Sequence, residues 1–263
     1  MVRERTAGQR GRRVRERDDN GMNDGGADTP PPYKLLSVIV PVYNERNTVG
    51  EIIRRMRLVD LPIEREILVV DDGSVDGTDK ILAALEDSTV RVRRHPDNRG
   101  KGAAIRTGIS AARGDVVLIQ DADLEYDPQE WPRLIAPLLL GKARVVYGSR
   151  YIGERQASSI GRWLGDRSLA LLVAVLFNTA ISDVETGYKV VDRAVLDGLH
   201  IQADRFEFEP EITARLLRGG HRIHEVPVTY SRRSQREGRK FTWRDEIVAA
   251  WTLVRLRFQR ERS

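Results

Sequence analysis

V-V-L-I-Q-D-A-D-L-E-Y-D-P, residues 116–128, drives a short apolar, β-branched run straight into the carboxylates of Asp121, Asp123 and Glu125. A run of that length and composition reads as a buried strand. Side chains alternate along an extended chain, so Asp121 and Asp123 are expected on one side of it. Two carboxylates placed that way can turn toward a single divalent cation, which can in turn hold a diphosphate. Hard oxygen ligands suit Mg²⁺ or Mn²⁺, which keep open positions for phosphate oxygens. The same letters also describe a solvated acidic loop with a turn at Asp127-Pro128. The place after a buried strand, and the company of the clusters below, favour the cation.

Outward from this stretch the pattern repeats. Residues 35–40 form an apolar strand that ends at Pro41, and residues 66–70 form a second that ends on Asp71-Asp72-Gly73-Ser74. Residues 90–94, 116–119 and 144–147 read as the third, fourth and fifth strands. Helical spacing fills the intervals at 47–58, 76–85, 102–112 and 131–140, with Asn44 expected as a helix N-cap. Strands alternating with helices at this interval predict an α/β fold with a mostly parallel sheet and helices on both faces. In such sheets ligands bind beyond the carboxyl ends of the strands. Residues 41–45, 71–74, 121–123 and 148–150 all fall there, so four polar clusters are expected along one rim.

The second half is less regular. It predicts helices at 163–177, 208–217 and 243–258, a short strand at Val190-Val191 and another over 222–230. Nothing marks an internal repeat or a linker, so residues 33–242 are expected to form one domain.

The 263 residues hold no cysteine, which excludes disulfides and thiolate metal sites and allows a reducing compartment. Residues 1–32 are almost without apolar side chains and rich in Arg, Asp and Gly, and are expected to be a disordered Arg-rich tail. They lack the apolar core of a secretory signal. The longest apolar run, 169–177, is about half of the ~20 residues a membrane-spanning helix needs. The net charge is +5, with much of the Arg at the two ends. Such ends are solvated tails or attract anionic lipid and phosphate. Abundant acid in the middle and the lack of a binding motif argue against a nucleic-acid partner.

Other motifs carry two readings each. Asp71 and Asp72 can accept hydrogen bonds from a base or ribose, while Ser74 or Asp76 caps the next helix. Asn98-Arg99-Gly100-Lys101-Gly102 places two glycines and a cation at a helix start, as a phosphate cradle or a flexible loop. Arg150, Arg162 and Arg167, and Arg232, Arg233, Arg236, Arg239 and Lys240, are cationic series that can bind phosphate or make surface ion pairs. The final segment, 243–263, sets Ile247, Trp251, Val254 and Phe258 at helical spacing, with Arg255, Arg257, Arg260 and Arg262 around its end. That stripe can lie on a membrane or pack on the core. His95, His200, His221 and His224 lack ligand spacing and are assigned no catalytic role.

Taken together, these pieces resemble family 2 glycosyltransferases of the GT-A fold. Within them they are most similar to the dolichyl-phosphate mannose synthase and polyprenyl-phosphate glycosyltransferase group. The likeness rests on S-V-I-V-P-V-Y-N-E (37–45), D-D-G-S (71–74), the 98–102 loop, D-A-D (121–123), G-S-R (148–150), E-T-G-Y-K (185–189) and V-P-V (226–228), all in the family's order. It implies that Pro41, Tyr43, Glu45, Val70, Asp71 and Asp72 line the nucleotide pocket. It implies that Asp121, Ala122, Asp123 and Glu125 form the diphosphate and Mg²⁺ or Mn²⁺ site, although the family often has Gln where Glu125 stands. Lys101 falls in the phosphate loop, Arg150 and Arg233 match positions facing the acceptor phosphate or the diphosphate, and Lys240 fits a residue closing over the donor. Phe206–Glu211 also resembles a soluble branch of the family.

The resemblance therefore implies inverting transfer of a hexose from a nucleotide-diphosphate sugar, of GDP-mannose or UDP-glucose type, to a polyprenyl phosphate. Localisation would be cytoplasmic and peripheral at the inner face of a membrane. An anionic acceptor needs positioning more than a base, with Asp123 and Arg150 as the central residues. A hydroxyl acceptor on a soluble or envelope glycan would need a base, from Glu185 or Asp183. A nucleotidyltransferase would carry a Gly-rich basic signature where Pro41–Glu45 stands, and a non-catalytic scaffold would not need these carboxylates and cations.

Overall fold

The computed structural model describes residues 33–152, 160–231 and 243–259, without the side chains of 160–166 and 243–244. The expected tail at 1–32, the basic stretch at 232–240 and Arg260 and Arg262 lie outside the described residues.

Four strands, β1 (Leu35–Val42), β2 (Glu64–Asp71), β3 (Val90–Arg94) and β4 (Val116–Ile119), run parallel in the order β3-β2-β1-β4. The continuous apolar runs of β1, β2 and β4 follow from burial on both faces. Leu36, Val38 and Val40 pack on one side with Ile52, Ile53 and Met56 of α1 (Val49–Arg57), Leu82 of α2 (Thr78–Leu85) and Trp131 and Leu134 of α4 (Trp131–Leu139). Ile39, Leu68 and Val117 face the other way. They meet Ile105 of α3 (Lys101–Ala111), Val195 of α6 (Arg193–Asp197) and Phe208 and Ile212 of α7 (Phe208–Arg218).

The far half departs from the parallel pattern. β6 (Lys189–Asp192) is inserted antiparallel between β4 and β5 (Val145–Ser149), and β7 (His224–Pro227) closes the sheet parallel to β5. Both ends of β6 are anchored by distant partners. Lys189 donates to Thr186 O at 2.5 Å and pairs with Glu209. Asp192 accepts from the Tyr33 hydroxyl at 2.7 Å and from Arg144, and also caps α6 through Ala194 N at 2.8 Å. The expected strand at 222–230 is shorter than its pattern: Pro227 ends it, since proline offers no ladder donor. Helix α6 was not foreseen, because five residues are too few for a periodic signal.

A third apolar cluster joins α5 (Ile160–Phe177) and α8 (Trp243–Phe258) to α7, through Leu169, Val173, Ala214, Ala249, Leu253 and Leu256. The stripe expected to pack or to meet a membrane is therefore not the packing face. Ile247, Trp251 and Phe258 are exposed, with Trp251 64% accessible. None of the described helices is long and apolar enough to cross a membrane.

The amino end of the sheet is pinned by one buried carboxylate. Glu66 accepts from Ser37 Oγ at 2.6 Å, Arg113 N at 2.7 Å and Arg91 Nη1 at 2.8 Å. Burial alone would raise its pKa, but these donors together outweigh burial and lower it. A folded-state value below the unfolded one, about 4.3, means stability present above that pH and lost as pH falls through the lower folded value. Glu66→Gln should cost about 2 kcal/mol at neutral pH. In urea titrations the gap to the parent should narrow as pH falls below about 4.3; a constant gap would contradict this account.

Candidate active site

The carboxyl ends of β1, β2, β4 and β5 meet at one rim, and buried side chains fasten the loops there to one another. Asn44 is not a helix cap. It sits at φ +56°, accepts from Val75 N through Oδ1 at 2.9 Å and donates its own N–H to Ser74 Oγ at 2.9 Å. The first helix starts instead after Thr48. Of the two expected caps on the second helix, Asp76 accepts from Thr78 N at 3.0 Å, while Ser74 is held by Asn44. Pro41 is half-buried, Tyr43 projects into solvent, and Glu45 accepts from Thr48 Oγ1 at 2.6 Å.

Asp71 and Asp72 are both buried. Asp71 Oδ1 accepts from Ser74 N at 2.9 Å, and its Oδ2 lies 3.4 Å from Arg94 Nε without a hydrogen bond. Asp72 gathers the backbone of the 98–102 loop, accepting from Arg99 N at 3.0 Å and Gly100 N at 2.7 Å. It also meets His95 Nδ1 at 2.6 Å, and His95 Nε2 reaches Thr107 Oγ1 at 2.9 Å. Sequence reasoning gave His95 no role. Its partner is 23 residues away and carries no metal-ligand spacing, so only the folded strand ends reveal the pair.

The loop at 98–102 is packed rather than open. Gly100 has φ +107°, and a Cβ on it would strike the carbonyl of Asp204. The third residue of α3, Ala103, donates its N–H to that same carbonyl at 3.0 Å. Lys101 stands at the helix start with Nζ 2.8 Å from Asp121 Oδ1 and 3.1 Å from Glu209 Oε1. Burial works against its charge, but the pull of both carboxylates outweighs it and raises its pKa. Glu209 and Lys189 were not singled out by sequence reasoning, although the segments holding them were.

Asp121 and Asp123 follow β4 on a bend, not on extended chain, with Leu124 at φ +63°. Alternation therefore does not set their directions; local contacts do. Asp123 Oδ1 accepts from Glu125 N at 3.2 Å. Gly187 lies so close to Asp121 that a Cβ there would overlap its Oδ2, which accounts for the glycine in E-T-G-Y-K. Glu125 turns to the Tyr230 hydroxyl, which donates to its Oε2 at 2.5 Å. The Tyr230 ring packs edge-on against Tyr126, 5.2 Å between centroids. Tyr126 is fully enclosed; burial leads the effects that push its hydroxyl up to about 12, so at neutral pH it accepts from Gly187 N at 3.1 Å as a phenol. Ala122 is buried beneath the bend.

Arg150 reaches the same ring from β5. Its guanidinium carbon stands 5.4 Å from the Tyr230 centroid and 5.5 Å from that of Tyr151. Nε and Nη2 form a bidentate pair with Asp183, both at 2.7 Å. Burial opposes that charge, but the neighbouring Tyr126 and Asp183 raise its pKa well above the ordinary value. Asp183 is held in place from behind, since Glu225 accepts from the N–H groups of Ser182 at 2.9 Å and Asp183 at 3.2 Å. Glu185 is half-buried in the same loop.

The structure thus brings together Lys101, Asp121, Asp123, Glu125, Arg150 and Asp183, with Tyr230 linking the acidic bend to the arginine. Arg233 and Lys240 lie outside the described residues, as does the side chain of Arg162; Arg167 is exposed on α5. Among the described residues no three His, Cys, Asp or Glu side chains are grouped so that they could hold a metal ion.

Residues 37–197, more than half of the chain, match the family described as Glycosyl transferase family 2. The chain belongs to that family. Among family relatives, it is 36% identical over 186 residues to an undecaprenyl-phosphate 4-deoxy-4-formamido-L-arabinose transferase of Pseudomonas fluorescens, covering 69% of this chain and 54% of that protein. It is 30% identical over 213 residues to a dolichol-phosphate mannosyltransferase of Pyrococcus furiosus, covering 78% and 58%. It therefore spans little more than half the length of these relatives. Its fold is similar, with a TM-score of 0.64 and 24% identity over 85% of this chain and 78% of the other, to glucosyl-3-phosphoglycerate synthase of Mycobacterium tuberculosis, solved with Mn²⁺, UDP and glucosyl-3-phosphoglycerate. The GT-A architecture expected for family 2, a mostly parallel sheet with helices, thus holds.

Proposed function

We propose that this chain is an inverting glycosyltransferase that moves a hexose from a nucleoside-diphosphate sugar, GDP- or UDP-linked, to a polyprenyl phosphate. The observation that carries the reading is the Arg150–Tyr230–Glu125 link, which sets an anion-binding guanidinium beside the acidic bend. The names of the two relatives, both transferases acting on polyprenyl or dolichol phosphate, support the acceptor class.

The bend offers carboxylate oxygens from Asp121 and Asp123, the donor chemistry a hard divalent cation takes. Asp121 and Asp123 would hold Mg²⁺ or Mn²⁺, which when bound supplies neutralisation of charge on the leaving diphosphate. Glu125, turned to Tyr230, would position the bend. Pro41, Tyr43 and Glu45 would line the nucleotide pocket with Val70, and Asp71 and Asp72 would shape its walls. Arg233 and Lys240 would complete the cationic side.

A lipid monophosphate is already anionic and attacks without a base, so the protein's task is orientation. The Arg150–Asp183 pair uses Nε and Nη2 and leaves the Nη1 edge for the acceptor phosphate. A lipid acceptor also brings the chain to a membrane surface, at the cytoplasmic face, where the exposed Ile247 and Trp251 of α8 and the nearby Arg255 would rest.

Purified protein with Mg²⁺ or Mn²⁺, a panel of nucleotide sugars and polyprenyl phosphate should yield a glycosyl lipid phosphate by mass spectrometry. Product with a soluble hydroxyl acceptor only would replace this reading. Glu185→Gln separates the two acceptors: transfer to polyprenyl phosphate should stay within about threefold of the parent, whereas a hydroxyl acceptor would lose roughly 10²–10⁴-fold with its base.

A further inference from the structure

We infer that Lys101 is a resident cation at the carboxylate that receives the divalent ion, and that Glu209 and Lys189 are positioning residues that let it withdraw. The inference deepens the reading of Asp121 as a cation ligand and rests on it.

Four charged groups stand in a row: Asp121, Lys101, Glu209 and Lys189. Lys101 Nζ touches the carboxylates on either side, at 2.8 Å and 3.1 Å. Glu209 spends its other oxygen on Lys189, whose ammonium is completely buried against Thr186 O, 2.5 Å away, and lies 4.8 Å from the centre of the Tyr147 ring. The row holds two carboxylates and two ammonium groups, so it balances without solvent.

A divalent ion on Asp121 would bring two positive charges against the Lys101 ammonium. Two cations sharing one carboxylate repel strongly where solvent is partly excluded. Lys101 must leave Asp121, and re-entry into water would cost it the enclosed contact it already has. Glu209 removes that cost, because the amine keeps one partner while it gives up the other. For this to work Glu209 has to stay in place. It is held by Lys189, which has no exposed surface through which to move, and by its position in the first turn of α7. Gly187, packed on Asp121, lies two positions before Lys189, so the anchor and the ion site share one backbone segment.

The test is calorimetric titration of the full chain with Mn²⁺ alone, and then with Mn²⁺ in the presence of UDP or of GDP. Lys101→Met should bind Mn²⁺ alone about tenfold more tightly than the parent, because the competing cation is gone. A merely structural lysine would give the opposite sign. Glu209→Gln should weaken Mn²⁺ binding about tenfold in the parent and by less than about twofold when combined with Lys101→Met. A folded Lys101→Met protein, by circular dichroism, that binds Mn²⁺ no more tightly than the parent overturns the inference. So does a Glu209→Gln penalty of equal size in both backgrounds. Lys101→Gln provides the same comparison should the methionine variant not fold. Failure of the parent to bind Mn²⁺ with either nucleotide overturns the cation reading itself, and the inference with it.

Discussion

Asp123→Ala should lower Mn²⁺-dependent binding of UDP or GDP by at least ~10²-fold and sugar transfer by about 10³-fold. Asp123 is the better probe of the two bend carboxylates. Asp121 also contacts Lys101 and packs against Gly187, so its removal releases a buried lysine and opens a gap as well as deleting an oxygen ligand. Asp123 is half-buried, and one of its oxygens accepts from Glu125 N. Its loss should leave the unfolding midpoint close to that of the parent, because a partly solvated carboxylate in a bend contributes little to packing. Calorimetry with Mn²⁺ and each nucleotide measures the first quantity and mass spectrometry of glycosyl lipid the second. Unchanged nucleotide binding would remove Asp123 from the cation site.

The parallel half of the sheet was legible because β1, β2 and β4 are buried on both faces and therefore announce themselves as unbroken apolar runs ending in polar clusters. β6 is different. Its four residues begin with Lys189 and end with Asp192, and their burial is made possible by Glu209, Tyr33 and Arg144, none within fifteen positions. A strand whose ends are neutralised from a distance carries no local sign of direction. The terminal helix shows the opposite case. Its apolar residues cover more than one face, and the stripe of large side chains at 247, 251 and 258 was the more visible one. The core instead took Ala249, Leu253 and Leu256, since the small alanine lets α8 approach α5 and α7.

The site was legible in its residue types and much less in its geometry. Asp121, Asp123 and Arg150 lie at one rim as expected from strand ends and Lys101 joins them from the start of α3, but the alternation argument for the two aspartates fails on a bend with Leu124 at positive φ. The loop glycines, which suggest a phosphate cradle in sequence, fit the chain at 203–205 instead. Asp72, one of the two carboxylates read as able to accept from a base or ribose, accepts from the backbone of Arg99 and Gly100 and meets His95. In each instance the missing information was the identity of a partner far along the chain. Tyr230 is the clearest example, for it connects Glu125 to Arg150 across more than a hundred positions.

Arg150→Lys should keep the fold and lose about 10²-fold in transfer, the cost of misplacing an acceptor by roughly an ångström. The substitution preserves charge beside Asp183 but replaces a planar fork with a point charge that cannot pair bidentately and still present another edge. Arg150→Ala is a different experiment. Arg150 and Asp183 are 8% and 1% exposed, so truncation strands a buried carboxylate and should cost about 3–5 kcal/mol of stability. It would also free Tyr230, whose ring the guanidinium covers, and with it Glu125. The lysine variant separates orientation from folding. Its loss should appear as a raised KM for polyprenyl phosphate, with Mn²⁺ and nucleotide binding within about twofold of the parent, because the guanidinium is assigned to the acceptor and not to the donor. Transfer at the parental rate would show that charge alone suffices at this position. A loss confined to nucleotide binding would move Arg150 to the diphosphate side of the cleft.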